Sequence, residues 1–496
     1  MTEHATDGKT MTTTTTAVID LDLPGATISR HVYGHFAEHL GCCVNQGLWV
    51  GEDSPIPNVA GLRSDVLEAL KRLNVPVLRW PGGCFADDYH WEDGVGPRER
   101  RPRRVNIWWG ENVEDNSFGT HEFLNLCRQL GAEPYLAGNV GSGTPREMRD
   151  WVEYCNFAGD STLARRRAEN GSPQPFNVTH WGVGNENWGC GGNFCPEDYA
   201  AEYKRFETYL RDFSGHKLFL AACGPNGNDA AWTRRFFEKL AGFPRIHGFA
   251  AHYYTWNREG QFGTATEFTT EQYYGLLHKA MGMEQLIVEQ RALLDELRPQ
   301  NKVELIVDEW GTWHPPEPGR HPLHLFQQNT MRDALVASMT LDVFHRHADK
   351  LYMANIAQMV NVLQALVLTS EDRMVLTPTY HVFDMYRPHK GATSVRVESD
   401  ALPGLSASAS INDHVLTLSV TNPHATSPLD ATLRLRDGHF NEMAVTELSH
   451  KYIQAHNTFD MPGVVRPRNS MLMLGGREWQ YTFPPCSVTV FRLSLQ

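Results

Sequence analysis

The chain has 496 residues, 41% of them hydrophobic and 21% charged, with a formal net charge of -13. That length holds a large domain and a smaller one, and the balance describes a globular chain with a sizeable core. The acidic total argues against nucleic acid or an anionic membrane as a partner, and no apolar stretch is long enough to span a bilayer.

Residues 1–16 are polar and Thr-rich. They lack the apolar centre of a signal peptide, which predicts a disordered leader. Nine cysteines is an odd number for a disulfide framework. Cys127, Cys155 and Cys223 fall in or beside apolar elements, the pattern of buried free thiols in a reducing, cytoplasmic compartment. Residues 17–28 open with an alternating strand, Ala17 to Leu23, that precedes the main pattern and is expected to join a sheet from the C-terminal region.

From residue 29 to 390, short apolar runs alternate with helical segments. The runs are His31 to Ala37, Val75 to Trp80, Pro134 to Gly138, Val178 to Gly184, Lys217 to Cys223, Ile246 to Ala251, Val303 to Asp308 and Leu351 to Ala357. Between them, apolar residues at helical spacing predict helices over Ser64–Leu73, His121–Leu130, Pro145–Phe157, Pro196–Phe213, Thr233–Leu240, Gln285–Leu297 and Asn329–His347. Eight such repeats predict a (β/α)8 barrel rather than an open doubly wound sheet, because no phosphate-binding glycine motif opens a first βα unit. Residues 391–496 change texture. Segments such as His414-Val-Leu-Thr-Leu-Ser-Val and Ser487-Val-Thr-Val-Phe-Arg-Leu alternate with period two between turns, which predicts an all-β sandwich.

Polar residues cluster where the barrel runs end. Glu38, Asn185, Glu186, His252, Tyr254, Glu309 and Gln358 all stand at or just past strand ends. In a barrel those ends share the face that carries chemistry. Glu186 after the fourth run and Glu309 after the seventh would face each other across the mouth, neither buried in the core nor given a basic partner by its sequence neighbours. A facing pair of carboxyls is what glycosidic hydrolysis requires: one protonates the leaving oxygen, and the other attacks the anomeric carbon or activates water.

Several motifs sharpen this reading: Arg79-Trp80-Pro81-Gly82-Gly83, Trp91-Glu92-Asp93-Gly94, Glu114-Asp115-Asn116-Ser117-Phe118-Gly119-Thr120, Gly184-Asn185-Glu186, Asp308-Glu309-Trp310 and Asn355-Ile356-Ala357-Gln358. In this order the chain resembles the α-L-arabinofuranosidases of glycoside hydrolase family 51 over about Ser29 to Pro388. The resemblance implies a barrel with a C-terminal β-sandwich and a retaining double displacement with no metal or cofactor. It implies Glu186 as acid/base and Glu309 as nucleophile. Asn185 would bind the sugar 2-hydroxyl, and Glu38 and Gln358 the ring hydroxyls. His252 and Tyr254 would stand by the nucleophile, Cys84 would contact the sugar, and Trp188 would border the leaving group. It also implies arabinose-containing oligosaccharides as substrates and a homo-oligomer, a hexamer in the family. A β-D-xylosidase, a bifunctional enzyme, an endo-glucanase and a non-catalytic carbohydrate-binding protein are the alternatives.

Weaker signals have plainer readings. The basic run Arg98 to Arg104 reads as a solvated loop or an intersubunit contact. His345 and His347 are two apart in a helix and point away from each other, which does not suit a metal. Cys190 and Cys195 could pair, although a reducing compartment disfavours it.

Overall fold

In the computed structural model, which describes residues 15–243, 245–398, 404–472 and 475–496, the eight apolar runs form one closed parallel barrel. Its strands, first to eighth, are Gly34–Phe36, Val77–Trp80, Glu133–Gly138, His180–Val183, Phe219–Asn226, Gly248–Trp256, Glu304–Trp313 and Leu351–Ala357. The last closes on the first with Asn355 opposite Gly34. These strands read as continuous apolar runs because both faces are covered, by helices outside and by packed side chains inside. Tyr135, Ile306 and Met353 are among the residues that fill the barrel's interior.

Helices form where the spacing predicts them, at Ser64–Leu73, Thr120–Leu130, Pro145–Asn156, Pro196–Glu207, Ala230–Lys239, Gly282–Leu297 and Met331–Arg346. The fourth stops six residues short of Phe213. Three more, Thr162–Glu169, Thr270–Ala280 and Pro378–Tyr386, complete the shell. Met331–Arg346 is buried along nearly its whole length because barrel and sheet enclose it from two sides.

The C-terminal region forms a nine-stranded sheet rolled over its own apolar core, which includes Leu418, Leu433, Trp479 and Phe491. One of its strands is Thr15–Thr27, antiparallel to Thr393–Val397 on one side and parallel to Leu429–Arg436 on the other. Residues 1–14 of the expected leader lie outside the described residues. Thr15 and Thr16 already pair with Ala431 and Thr432, so the strand begins two residues before that leader was expected to end.

Where the Met331–Arg346 helix meets the sheet, polar groups are buried together. Asp342 accepts hydrogen bonds from Ser406, Ser408 and Tyr386 at 2.7–3.1 Å. His345 lies between Ser408 and Tyr33, and His389 between Ser410 and Ser419. Burial and the neighbouring His389 hold His345 well below the ordinary imidazole range, and burial takes His389 down to about 3. Burial pushes Asp342 up to about 6, against the charge of Arg346 and the three hydroxyl donors.

The basic run lies at the surface, with Arg98, Arg100, Arg103 and Arg104 exposed. Arg98 pairs with Glu52 and Glu122, Arg101 with Glu122, and Arg104 with Asp93.

Candidate active site

The fourth strand ends in a sharp turn. Gly184 takes φ 88 and Glu186 takes φ 41, a left-handed backbone that carries the Glu186 carboxyl over the barrel mouth. Such a conformation costs a non-glycine residue strain, and the surroundings must hold it. Here the Asn185 amide donates to Asp87 Oδ2 at 2.7 Å, and Asp87 Oδ1 accepts from the Val140 and Gly141 amides at 2.6 and 2.8 Å. Burial pushes the Asp87 carboxyl up to about 7 despite those three donors.

Glu186 and Glu309 each place a carboxylate oxygen within 4.8 Å of the other and of His252. Their surroundings differ. Glu309 is buried, with Oε1 accepting from an Arg79 nitrogen at 2.7 Å and Oε2 from the Tyr254 hydroxyl at 2.8 Å. Glu186 is partly open to the cavity, and its Oε1 meets His252 Nδ1 at 2.8 Å. Burial, opposed by His252 and reinforced by the charge of Glu309, holds Glu186 above the ordinary carboxyl range. The expectation that neither glutamate is buried is corrected for Glu309, and the basic partner its sequence neighbours do not supply comes from far along the chain. Arg79, 230 residues from Glu309, is its partner.

Arg79 organises the floor. It also donates to Asn185 Oδ1 at 2.6 Å, lies 3.3 Å from Asp308 Oδ2 and stacks 4.7 Å from the Phe36 ring centroid. Burial disfavours its charge, but Asp308 and Glu309 outweigh burial and hold the guanidinium above its ordinary range. Asp308 accepts from Tyr135 at 2.8 Å and stands 3.1 Å from His252 Nε2. Burial opposes its charge too, yet Arg79 and His252 bring it to about 2. His252 is buried, which opposes protonation, but Glu309, Asp308 and Glu186 together raise it to about 10. It is a fixed cation shared by three carboxylates and bridges both glutamates rather than Glu309 alone.

Glu38 lies on the opposite wall. It accepts from the Phe85 amide at 3.0 Å, from Trp109 Nε1 at 2.9 Å and from Gln358 Nε2 at 3.0 Å. Burial and the charge of Glu309 push it up to about 7 against those donors. A Cβ at Gly83 would lie 2.6 Å from Glu38 Oε2, so the Pro81-Gly82-Gly83 turn can pass only without a side chain.

Cys84 departs from the thiol the sequence suggests. It forms a disulfide with Cys190, which ties the loop after the second strand to the loop after the fourth. The two sulfurs stand 4.0 and 3.6 Å from Glu186 Oε2. Cys195 is free and exposed, so the Cys190–Cys195 pairing is not formed. Among the described residues, ligating atoms gather in two groups, Cys84/Glu186/Cys190 and Glu186/His252/Glu309. In the first the sulfurs are used in the disulfide. In the second the imidazole is protonated and Arg79 lies alongside, a donor set suited to holding protons rather than a metal.

Glu38, Cys84, Glu186, Tyr254, Glu309 and Gln358 line one cavity of about 520 Å³, whose wall also includes Trp188, Trp256 and Trp313. Sequence reasoning quoted Arg79 and Asp308 within motifs but gave them no role, and it passed over Asp87, Trp109 and Tyr135. For Arg79 and Asp308 the signal was available: each is a charge inside a run otherwise built for burial, and such a charge needs a partner.

Family models for the α-L-arabinofuranosidase 1 domain and the α-L-arabinofuranosidase C-terminal domain match residues 69–273 and 308–487. An intracellular exo-α-L-arabinofuranosidase of Bacteroides ovatus is 46% identical over 91% of this chain and 90% of its own length. The structure of the family 51 arabinofuranosidase of Xanthomonas axonopodis pv. citri superposes with a TM-score of 0.92 at 40% identity, covering 97% of this chain and 100% of that one. The α-L-arabinofuranosidase of Thermotoga maritima, solved as an arabinose complex, gives 0.86 at 31% identity, covering 96% and 99%. The chain belongs to the α-L-arabinofuranosidases of glycoside hydrolase family 51.

Proposed function

We propose that the protein releases terminal α-L-arabinofuranosyl groups from arabinoxylan or arabinan fragments by a retaining double displacement. Glu186 serves as acid/base and Glu309 as nucleophile. The observation that carries this reading is the pair of carboxylates, with oxygens within 4.8 Å and unlike surroundings. Retaining enzymes hold the two groups about 5–5.5 Å apart, whereas inverting ones need roughly 6.5–9.5 Å to admit water between them.

Arg79 and the Tyr254 hydroxyl hydrogen-bond Glu309 and aim it, and burial raises Glu186 above the ordinary carboxyl range, as an acid needs. Glu309 attacks the anomeric carbon as Glu186 protonates the departing oxygen, leaving an ester between sugar and Glu309. That ester carries no charge. Burial still raises Glu186, but the added repulsion from Glu309 is then gone while His252 stays beside it, and Glu186 becomes a better base for the water that cleaves the ester. Glu38, Gln358 and Asn185 line the sugar side, and Trp188 the leaving-group side.

The test is kcat/KM on p-nitrophenyl α-L-arabinofuranoside beside p-nitrophenyl β-D-xylopyranoside. A preference of about a hundredfold or more for the arabinoside, about 2.7 kcal/mol, is expected. Comparable values would replace the reading by a bifunctional one, and no turnover of either would overturn it. The Bacteroides relative supports an intracellular location, and the family resemblance supports a homo-oligomer, a hexamer, to be measured by light scattering.

A further inference from the structure

Outward from the two glutamates the cavity is walled by tryptophans. Trp256 and Trp313 end the sixth and seventh strands with ring centroids 4.5 Å apart. Arg258, two residues beyond Trp256, lays its guanidinium carbon 5.2 Å from one centroid and 5.0 Å from the other. Two aromatic faces hold the side chain in place without neutralising it. Among the described residues no carboxylate, its exposed neighbour Glu259 included, comes within 4.0 Å of its nitrogens. Among the described residues Arg258 is also the one cation lining the cavity, where the other charged lining groups, Glu38, Glu186 and Glu309, lie at the sugar end. An exposed guanidinium fork, fixed and uncompensated at the leaving-group end of an acidic protein, is arranged to receive a planar anion.

We propose that Arg258 is a specificity-determining residue that binds a hexuronate carboxylate on the leaving-group side, so that the preferred substrates are acid-bearing oligosaccharides carrying a terminal arabinofuranosyl group. This rests on the arabinofuranosidase reading. The anion docks away from the reacting carbon and from the glutamates, so it adds binding without adding repulsion at the chemistry.

The experiment compares two xylotetraoses, each with one arabinofuranosyl branch, one of them also carrying a glucuronosyl branch. kcat/KM is measured on both for the wild type, Arg258→Gln and Arg258→Lys, at low and at 0.3 M salt. The readout is the acid-to-neutral ratio within each enzyme, so any general effect of a substitution cancels. The wild type is expected to favour the acidic substrate about tenfold at low salt, the size of a partly exposed charge-assisted pair. The ratio falls to about one in Arg258→Gln, recovers in part in Arg258→Lys, and shrinks with salt. An equal ratio in wild type and Arg258→Gln, or a wild type indifferent to the uronate, overturns the proposal. Failure of the wild type on p-nitrophenyl α-L-arabinofuranoside would instead overturn the reading beneath it.

Discussion

Two clusters of buried ionisable groups sit at opposite sides of the barrel helices, and they handle charge in opposite ways. At the mouth, Asp308, Arg79 and His252 keep their charges because each is placed against an opposite one. At the joint between barrel and sheet, Asp342, His345 and His389 are met mainly by hydroxyls, and burial drives all three toward their neutral forms. Burial acts alike on both. Partner chemistry decides whether charge survives.

Substitutions should separate the two clusters, most strongly at the reacting groups. Glu309→Ala is expected to lower kcat by at least about a thousandfold with folding intact. Near-normal turnover would remove Glu309 from the chemistry. In Glu186→Ala, azide should restore turnover and yield a sugar azide of retained configuration, and an inverted product would mean the two roles are exchanged.

For stability, Arg79→Met strands two buried carboxylates and should cost about 3–5 kcal/mol. Asp342→Asn replaces an already weakened charge among hydroxyls that can rotate to accept, and should cost about 1 kcal/mol. Urea unfolding compares them, and equal losses would erase the contrast.

His252→Gln removes the cation that lowers Glu186, so the alkaline limb of kcat/KM should move to higher pH. A limb that stays in place would show that His252 does not set the acid.

Stability against pH separates the clusters as well, on opposite sides of neutrality. His252 is raised to about 10, so its contribution is complete below the unfolded value near 6.5 and is lost as pH climbs toward 10. His345 and His389 are depressed, so stability falls as pH drops below about 6.5, by about 1.4 kcal/mol per pH unit for each proton that the unfolded chain binds and the folded one does not. Asp342 takes its proton earlier in the folded state, near 6, and offsets part of that acid loss. His389→Asn should therefore flatten the acid side alone, and His252→Gln the alkaline side alone.

The barrel was legible because burial on both strand faces writes itself as uninterrupted apolar runs, and all eight were readable from Val32 to Ala357. Helices with one apolar stripe were legible for the same reason. Thr270–Ala280 was not, since it follows directly on the irregular stretch after the sixth strand and runs almost straight into the next helix. The site was legible only as a set of residue types at strand ends. The pairings that define its electrostatics are distant: Arg79 with Glu309 across 230 residues, and Cys84 with Cys190 across 106. Local pattern carries no record of such contacts. Arg79 lies in an apolar strand whose neighbours say nothing about which carboxylates it will meet.

The strand Thr15–Thr27 has a consequence for how the molecule is assembled. It is an interior member of the nine-stranded sheet, with six strands on one flank and two on the other. The ribosome makes it before the barrel, yet both of its partners follow the barrel. Throughout synthesis of those eight strands it carries unsatisfied backbone donors and acceptors on both edges, a template open to any passing strand. The barrel can close first, but the sheet cannot be completed until the two ends of the chain meet, a pairing of very high contact order. The strand works as a clasp. Cutting it away would trim no edge but divide the sheet in two and leave the Leu429–Arg436 and Glu478–Phe483 pair adrift from the rest.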